Sequence, residues 1–288
     1  MASRNTPGTS GSNLTKQQRR EQAREAARKL QEEESKRAKR NRLLAIVGSV
    51  LVVAIIAAAV FFIVRSGNER SQEKDWAAFE PAATVFTEGT PENVNDQGGI
   101  AVGSDLVAGT ENEGAPTVTI YFDYLCSYCN QLEGTYADEL TQMAQDGDIT
   151  LIYQPVSILG QEFSDLGAAA DFYLAANAPE QYLEFHNTVF SEVTEPLFAE
   201  DADLPIPTAE DLLRVAKEVG VPEDVVTGLE TTLADGSFQK WVDLSYEQFG
   251  ANGLNGTPRV IINDRELVNW PDGNLTKYAR QIVDGDGA

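Results

Sequence analysis

The stretch YFDYLCSYCNQLEG, residues 121–134, holds the only two cysteines of a 288-residue chain, Cys126 and Cys129. Just before them, TVTIYF (117–122) is rich in β-branched and aromatic residues and predicts a strand. Just after them, Leu132, Tyr136, Leu140 and Met143 recur at spacings of four, four and three, one face of a helix from Cys126 to about Ala144. Gly134 weakens that helix by about 1 kcal/mol. A DGD turn then leads into ITLIYQPV (149–156), a second strand of the buried type. The cysteines thus stand at the strand-to-helix junction of a βαβ unit.

Working outward, GGIAVG from Gly99 reads as a further strand. Residues 160–250 read as helices without a convincing strand: FSDLGAAADFYLAA, PEQYLEFHNTVFSEV, TAEDLLRVAKEVG with Thr208 and Asp211 placed as a capping box, PEDVVTGLETTL with Pro222 at a helix start, and SFQKWVDLSYEQFG. Strand signals return in NGTPRVIIN and in RELVNW, a hairpin about an Asn263-Asp264 turn, and a last helix starts near Asn274. One α/β domain over 99–288 with a helical insertion at about 160–250 accounts for this order, and no internal repeat is visible.

Residues 43–64, LLAIVGSVLVVAIIAAAVFFIV, carry no charge over 22 positions, which at about 1.5 Å per residue spans a hydrocarbon core. No small-x-small cleavage site follows in VRSGNERSQEK, so the expectation is an uncleaved transmembrane helix rather than a signal peptide. Residues 1–42 hold 12 of the 22 basic residues and 5 of the 45 acidic ones, leaving 10 basic and 40 acidic after Val64. The basic tail belongs in the cytoplasm and the acidic domain outside it: a single-pass protein of the cell membrane with its N terminus inside. That acidity argues against nucleic acid as a partner. Residues 65–98 are expected to be a linker and lead-in, polar to about residue 80.

At a helix start, unpaired backbone N–H groups and the positive dipole end favour a thiolate. Cys126 is therefore the expected nucleophile, and Cys129, one turn further in, the thiol that resolves a mixed disulfide. Three other uses compete. A structural disulfide closing so short a loop removes little entropy from the unfolded chain. A zinc site needs about four ligands, and the chain adds one histidine, His186, and carboxylates. Two inert buried thiols fit poorly with a compartment that permits oxidation. His186, in EFHNTVF, reads better as a satisfied structural residue than as a catalyst, because the helix start already accounts for thiolate activation, and no serine lies in a nucleophile elbow.

The run APTVTIYFDYLCSYCN, followed far downstream by NGTPRVIIN, resembles DsbA-like thiol-disulfide oxidoreductases of the thioredoxin fold, especially membrane-anchored ones of bacterial envelopes. The resemblance covers about Gly99 to the C terminus. It implies a thioredoxin fold with an inserted helical subdomain, Cys126 and Cys129 as the active pair, and Pro258 as a cis-proline packed against them. It also implies that Thr257 offers backbone groups to a substrate peptide. Ser127 stands where relatives often have proline, and Arg259 is a large cation after Pro258; both are candidate modulators of the Cys126 thiolate. Asp123 is either a proton acceptor for Cys129 or a solvent-facing turn acid. Tyr124 and Tyr128 either line a shallow surface for unfolded chains or, like Phe122, belong to the core.

The expected function is extracytoplasmic thiol–disulfide exchange, most simply an oxidase acting on reduced secreted or envelope proteins. No cofactor beyond the Cys126–Cys129 disulfide is needed, and no metal. Because the chain lacks a third cysteine, a membrane partner of the quinone-linked kind is expected to reoxidise it. The alternatives are a reductase or isomerase of the same fold, and a non-catalytic anchored binding or chaperone module.

Overall fold

The computed structural model describes residues 75–86 and 89–285. The expected tail (1–42), transmembrane helix (43–64) and first part of the linker lie outside the described residues; among the described ones no helix is long and apolar enough to cross a membrane.

Six strands are described: β1 (Trp76–Ala78), β2 (Ile100–Val102), β3 (Thr117–Phe122), β4 (Thr150–Pro155), β5 (Arg259–Ile262) and β6 (Arg265–Leu267). They form one sheet in the order β1-β6-β5-β3-β4-β2. β3 and β4 are parallel, with Thr117 opposite Thr150 and Phe122 opposite Pro155; the other pairs are antiparallel. Alternation along β3 sends Val118, Ile120 and Phe122 into the main core, while Tyr121 faces the opposite side and packs on Phe249 with ring centroids 5.7 Å apart. Between β3 and β4 runs helix α1 (Ser127–Gln145), which buries Cys129, Leu132, Tyr136, Leu140 and Met143, the stripe read from the sequence.

The insertion comprises α2 (Glu162–Asn177), α3 (Tyr182–Thr188), a π-helical stretch (Val189–Thr194), a 3-10 turn (Glu195–Phe198), α4 (Ala209–Glu218), α5 (Glu223–Asp235) and α6 (Gln239–Ala251). Its apolar faces belong to the same continuous core as the sheet and α1, so it is not a separate body. Thr208 and Asp211 close the expected capping box on α4, with the Thr208 N–H donating to Asp211 Oδ2 at 2.9 Å. Helix α7 (Leu275–Val283) packs beside α1.

Two boundaries differ from the sequence reading. The segment taken as polar linker to about residue 80 contains strand β1, which pairs Trp76 with Leu267 and Ala78 with Arg265. Its anchor is aromatic rather than periodic: Trp76 stacks edge-on against Tyr278 at 5.2 Å, and the Tyr278 hydroxyl donates to Asp75 at 2.5 Å. The chain that follows is held by α6, where Asn252 Oδ1 accepts from Ala82 N–H and Gln248 Oε1 from Val85 N–H. The second hairpin strand, expected through Trp270, stops at Leu267 and gives way to a 3-10 turn, Trp270–Asp272. Pro271 has no N–H to give a ladder. Asn263 takes the left-handed conformation the turn requires (φ 55°) and its side chain accepts from Thr117 N–H at 3.0 Å.

Candidate active site

Cys126 occupies the N-cap of α1 in extended backbone (φ −80°, ψ 117°). It is half-buried, whereas Cys129, three residues into the helix, is 1% exposed; both are free thiols. The Thr257-Pro258 peptide is cis, as the resemblance implied, and the Thr257 carbonyl lies 3.3 Å from Cys126 Sγ, accepting from it when the thiol is protonated. The two thiols are driven apart electrostatically. A hydrogen bond from Cys129 is the largest influence on Cys126; although burial opposes it, that bond together with the Thr257 side chain and the Cys129 and Tyr128 backbone N–H groups lowers the Cys126 pKa to about 6. Burial, then the neighbouring Cys126 sulfur, push Cys129 well above its ordinary value. At neutral pH the outer sulfur is a thiolate and the inner one stays protonated.

Asp123 is not a solvent-facing acid. It is 2% exposed and accepts four hydrogen bonds: from Leu125 N–H (2.9 Å), Ile158 N–H (3.0 Å), Leu159 N–H (3.1 Å) and the Ser164 hydroxyl (2.7 Å). Burial raises its pKa against those four donors. Its place in the site is to tie the turn before Cys126 to the loop after β4 and the start of α2. Asn130 does the corresponding work on the other side: its amide donates to the carbonyls of Tyr124 (2.9 Å) and Cys126 (3.1 Å), and its Oδ1 accepts from Thr194 at 2.7 Å. The turn carrying Cys126 is fixed at both ends.

The modulators named from sequence fall differently. Arg259 points away from the thiols: Nη1 donates to Glu266 (2.6 Å), Nη2 to Asn255 (2.9 Å) and Nε to the Gly256 carbonyl (3.1 Å), so it braces the loop before Pro258. Ser127 is exposed at the first helical position, and the N–H groups that favour the thiolate are those of Tyr128 and Cys129. Tyr128, beside Cys126, is 62% exposed and so stands on the surface rather than in the core. Tyr124 does not share that surface. It is 1% exposed, its ring lies against Gly167, where an added Cβ would strike it, and its hydroxyl donates to Asp171 at 2.8 Å.

Sequence reasoning missed the assembly that Tyr124 enters, because its members lie far apart along the chain. His186 is fully buried, with Nδ1 3.9 Å from Asp171 and 3.2 Å from the Tyr124 hydroxyl, and Nε2 4.0 Å from Glu133. The Tyr153 ring lies 3.9 Å from the imidazole, and its hydroxyl donates to Glu133 at 3.3 Å. Burial would lower the histidine's pKa, but Asp171 and Glu133 outweigh it and raise it to about 9. Burial lifts Asp171 as well, opposed first by the bond and charge of His186 and then by the bonds from Tyr124; with its pKa at about 9, His186 is the cation of the cluster at neutral pH. Among the described residues no group of three or more metal-binding side chains could hold an ion.

A free-thiol pair at a helix start, facing a cis-proline, is the geometry of thiol–disulfide exchange. A family model described as thioredoxin matches residues 102–278. No curated protein sequence matches the chain. Among solved structures, MdbA, a thiol-disulfide oxidoreductase from Actinomyces oris, is 29% identical, with a TM-score of 0.59 over 72% of this chain and 96% of that one. Oxidised BdbD from Bacillus subtilis (19% identical, TM-score 0.55, 72% of this chain and 100% of that one) and oxidised DsbA from Mycobacterium tuberculosis (23%, 0.51, 66% and 97%) share the fold. The chain belongs to the thioredoxin family, as a DsbA-like thiol-disulfide oxidoreductase.

Proposed function

We propose that the protein is a disulfide donor to reduced secreted or envelope proteins, anchored in the cell membrane by residues 43–64 with its catalytic domain outside. The observation that carries the oxidase direction is the Cys126 thiolate, held at a pKa of about 6 by Cys129, Thr257 and the first N–H groups of α1. Whatever stabilises that thiolate stabilises the reduced enzyme and makes its disulfide a stronger oxidant. A substrate thiolate attacks Cys126 of the oxidised pair, and Cys129 leaves and takes up a proton, which its raised pKa retains. A second substrate thiolate then attacks the substrate's own sulfur. The substrate disulfide forms, Cys126 departs as a thiolate, and two electrons have passed to the enzyme. Thr257 offers backbone groups to the substrate chain during both attacks.

With two cysteines in the chain, those electrons pass to another molecule, and a quinone-linked membrane protein beside the anchor is the partner we assign. Equilibration of the pair with glutathione buffers tests the direction. A potential well above the thioredoxin value of about −270 mV is expected, and a more reducing one would turn the assignment into a reductase. For the partner, Cys129→Ala should trap a membrane protein as a mixed disulfide in cells; recovery of soluble substrates alone would remove it.

A further inference from the structure

Outside α1, next to the active-site turn, lies a trough in two connected parts. The nearer, of about 780 Å³, is walled by Ser127, Tyr128, Pro196 and Phe198. The farther, of about 300 Å³, is walled by Glu133, Asp138 and Asn187, and Asn130, Gly134, Thr135 and Glu195 belong to both. The mouth is aromatic, with Tyr128 62% and Phe198 42% exposed. The far end is acidic. No lysine or arginine lines it, and among the described residues neither Asp138 nor Glu195 has an ion-pair partner.

The wall also holds an acceptor with no donor. Asn187 Oδ1, at the far end, is buried without a hydrogen-bond partner; the Glu133 carboxylate is engaged, since its Oε1 faces His186 and its other oxygen accepts from Tyr153. The floor is open because residue 134 is glycine: an added Cβ would meet nothing within 4 Å. No close packing requires a glycine in this exposed turn of helix, where it is unfavourable.

We infer that the trough is a subsite for the reduced substrate, taking an apolar residue at its aromatic mouth and the side chain of a lysine or arginine at its far end. The cation brings charge and N–H donors to the Asp138 and Glu195 carboxylates. Spacing follows from helix geometry: Gly134 lies eight residues beyond Cys126, about 12 Å along the axis, which an extended chain covers in roughly three or four residues. The cation should therefore stand three or four positions from the reacting cysteine. This substrate class rests on the disulfide-donor reading above.

The test uses the oxidised full-length chain mixed with reduced dithiol peptides that differ only in carrying Lys, Gln or Glu four positions from one cysteine, on either side. Lys peptides should be oxidised about tenfold faster than Glu peptides at low salt, with the ratio shrinking as salt screens the pairing. Gly134→Leu, which fills the floor, and the surface pair Asp138→Asn with Glu195→Gln should each bring the ratio towards one. Moving the lysine about ten residues from the cysteine, beyond the reach of the far end, should remove its advantage. Equal rates for all peptides would overturn the subsite while leaving the oxidase intact. A preference that survives in the variants would assign it to the chain's overall negative charge and overturn the subsite too. Failure to oxidise any peptide would sink the oxidase reading first, and the subsite with it.

Discussion

Cys126 and His186 are both titratable groups held in the body of the fold, and their surroundings push them to opposite states. Cys126 is half-buried at a helix start, where a neighbouring thiol and backbone N–H groups solvate a negative charge, and its pKa falls to about 6. His186 is sealed between Asp171, Glu133 and five aromatic rings, Phe122, Tyr124, Tyr153, Tyr182 and Phe190, and its pKa rises to about 9. The first charge must appear and vanish at every turnover, so it lies near water with donors already in place. The second has no such duty and is enclosed completely. Proximity to the active site is therefore a poor guide to participation: Tyr124, two residues from Cys126, serves the histidine cluster.

The sharpest break of this comparison removes each centre in turn. Cys126→Ser should lower exchange with reduced peptides by roughly a thousandfold or more while the protein stays folded. Cys129→Ala should raise the Cys126 pKa from about 6, because the bond from Cys129 is the largest cause of its depression; the pH dependence of alkylation measures it. His186→Leu should do the reverse, costing about 3–5 kcal/mol of stability in urea unfolding by leaving Asp171 and Glu133 buried without a cation, with adequate exchange chemistry in the folded fraction. A His186 variant that unfolds at the usual denaturant concentration but loses exchange would place the histidine in the mechanism.

A smaller effect separates the centres by pH. The raised pKa of His186 means its contribution is fully present below about 6.5 and lost as pH rises through about 9. The depressed pKa of Cys126 has the opposite sign: its contribution exists in the reduced protein, is present above about 9 and is lost as pH falls through about 6. Between those limits the two slopes oppose in the reduced protein, and the oxidised protein keeps only the histidine's. The stability gap between the forms should widen with pH from about 6 to 9, by about 2 kcal/mol once solvent screening at a half-buried thiol is allowed for. Paired unfolding curves across that range check it; a gap independent of pH would mean that the thiolate is not what stabilises the reduced form.

The same contrast governs what was legible in the sequence. The thiol pair, α1 and β3–β4 could be read because local signals agree there: a strand of β-branched residues, a helical stripe and two cysteines at the junction. Pro258 was found only through the resemblance, since nothing local marks a proline 129 residues after Cys129 as its neighbour. The histidine cluster draws Tyr124, Glu133, Tyr153, Asp171 and His186 from β3's end, α1, β4, α2 and α3, so no window of sequence contains it. β1 was missed because three residues anchored by one tryptophan carry no period. Asp123 was seen, but its four donors come from the turn it precedes, the loop after β4 and α2, and only folding brings them together.

The smallest effect concerns the helix that joins the two centres. α1 starts at the reactive thiol and, two turns on, presents Glu133 to His186; Gly134 follows directly. Because an added Cβ there meets nothing, Gly134→Ala should raise stability by about 0.5–1 kcal/mol through the unfolded chain's lost freedom, about 1–4 °C in melting temperature for a domain of this size. Substitution at Gly167, by contrast, would drive a side chain into Tyr124 and lower it. The two glycines thus mark opposite uses of a missing side chain: one admits a ring to the cluster, and the other keeps a floor open beside the thiols. A Gly134→Ala protein no more stable than the parent would show that the helix gains nothing there from alanine, and the glycine would need another physical reason.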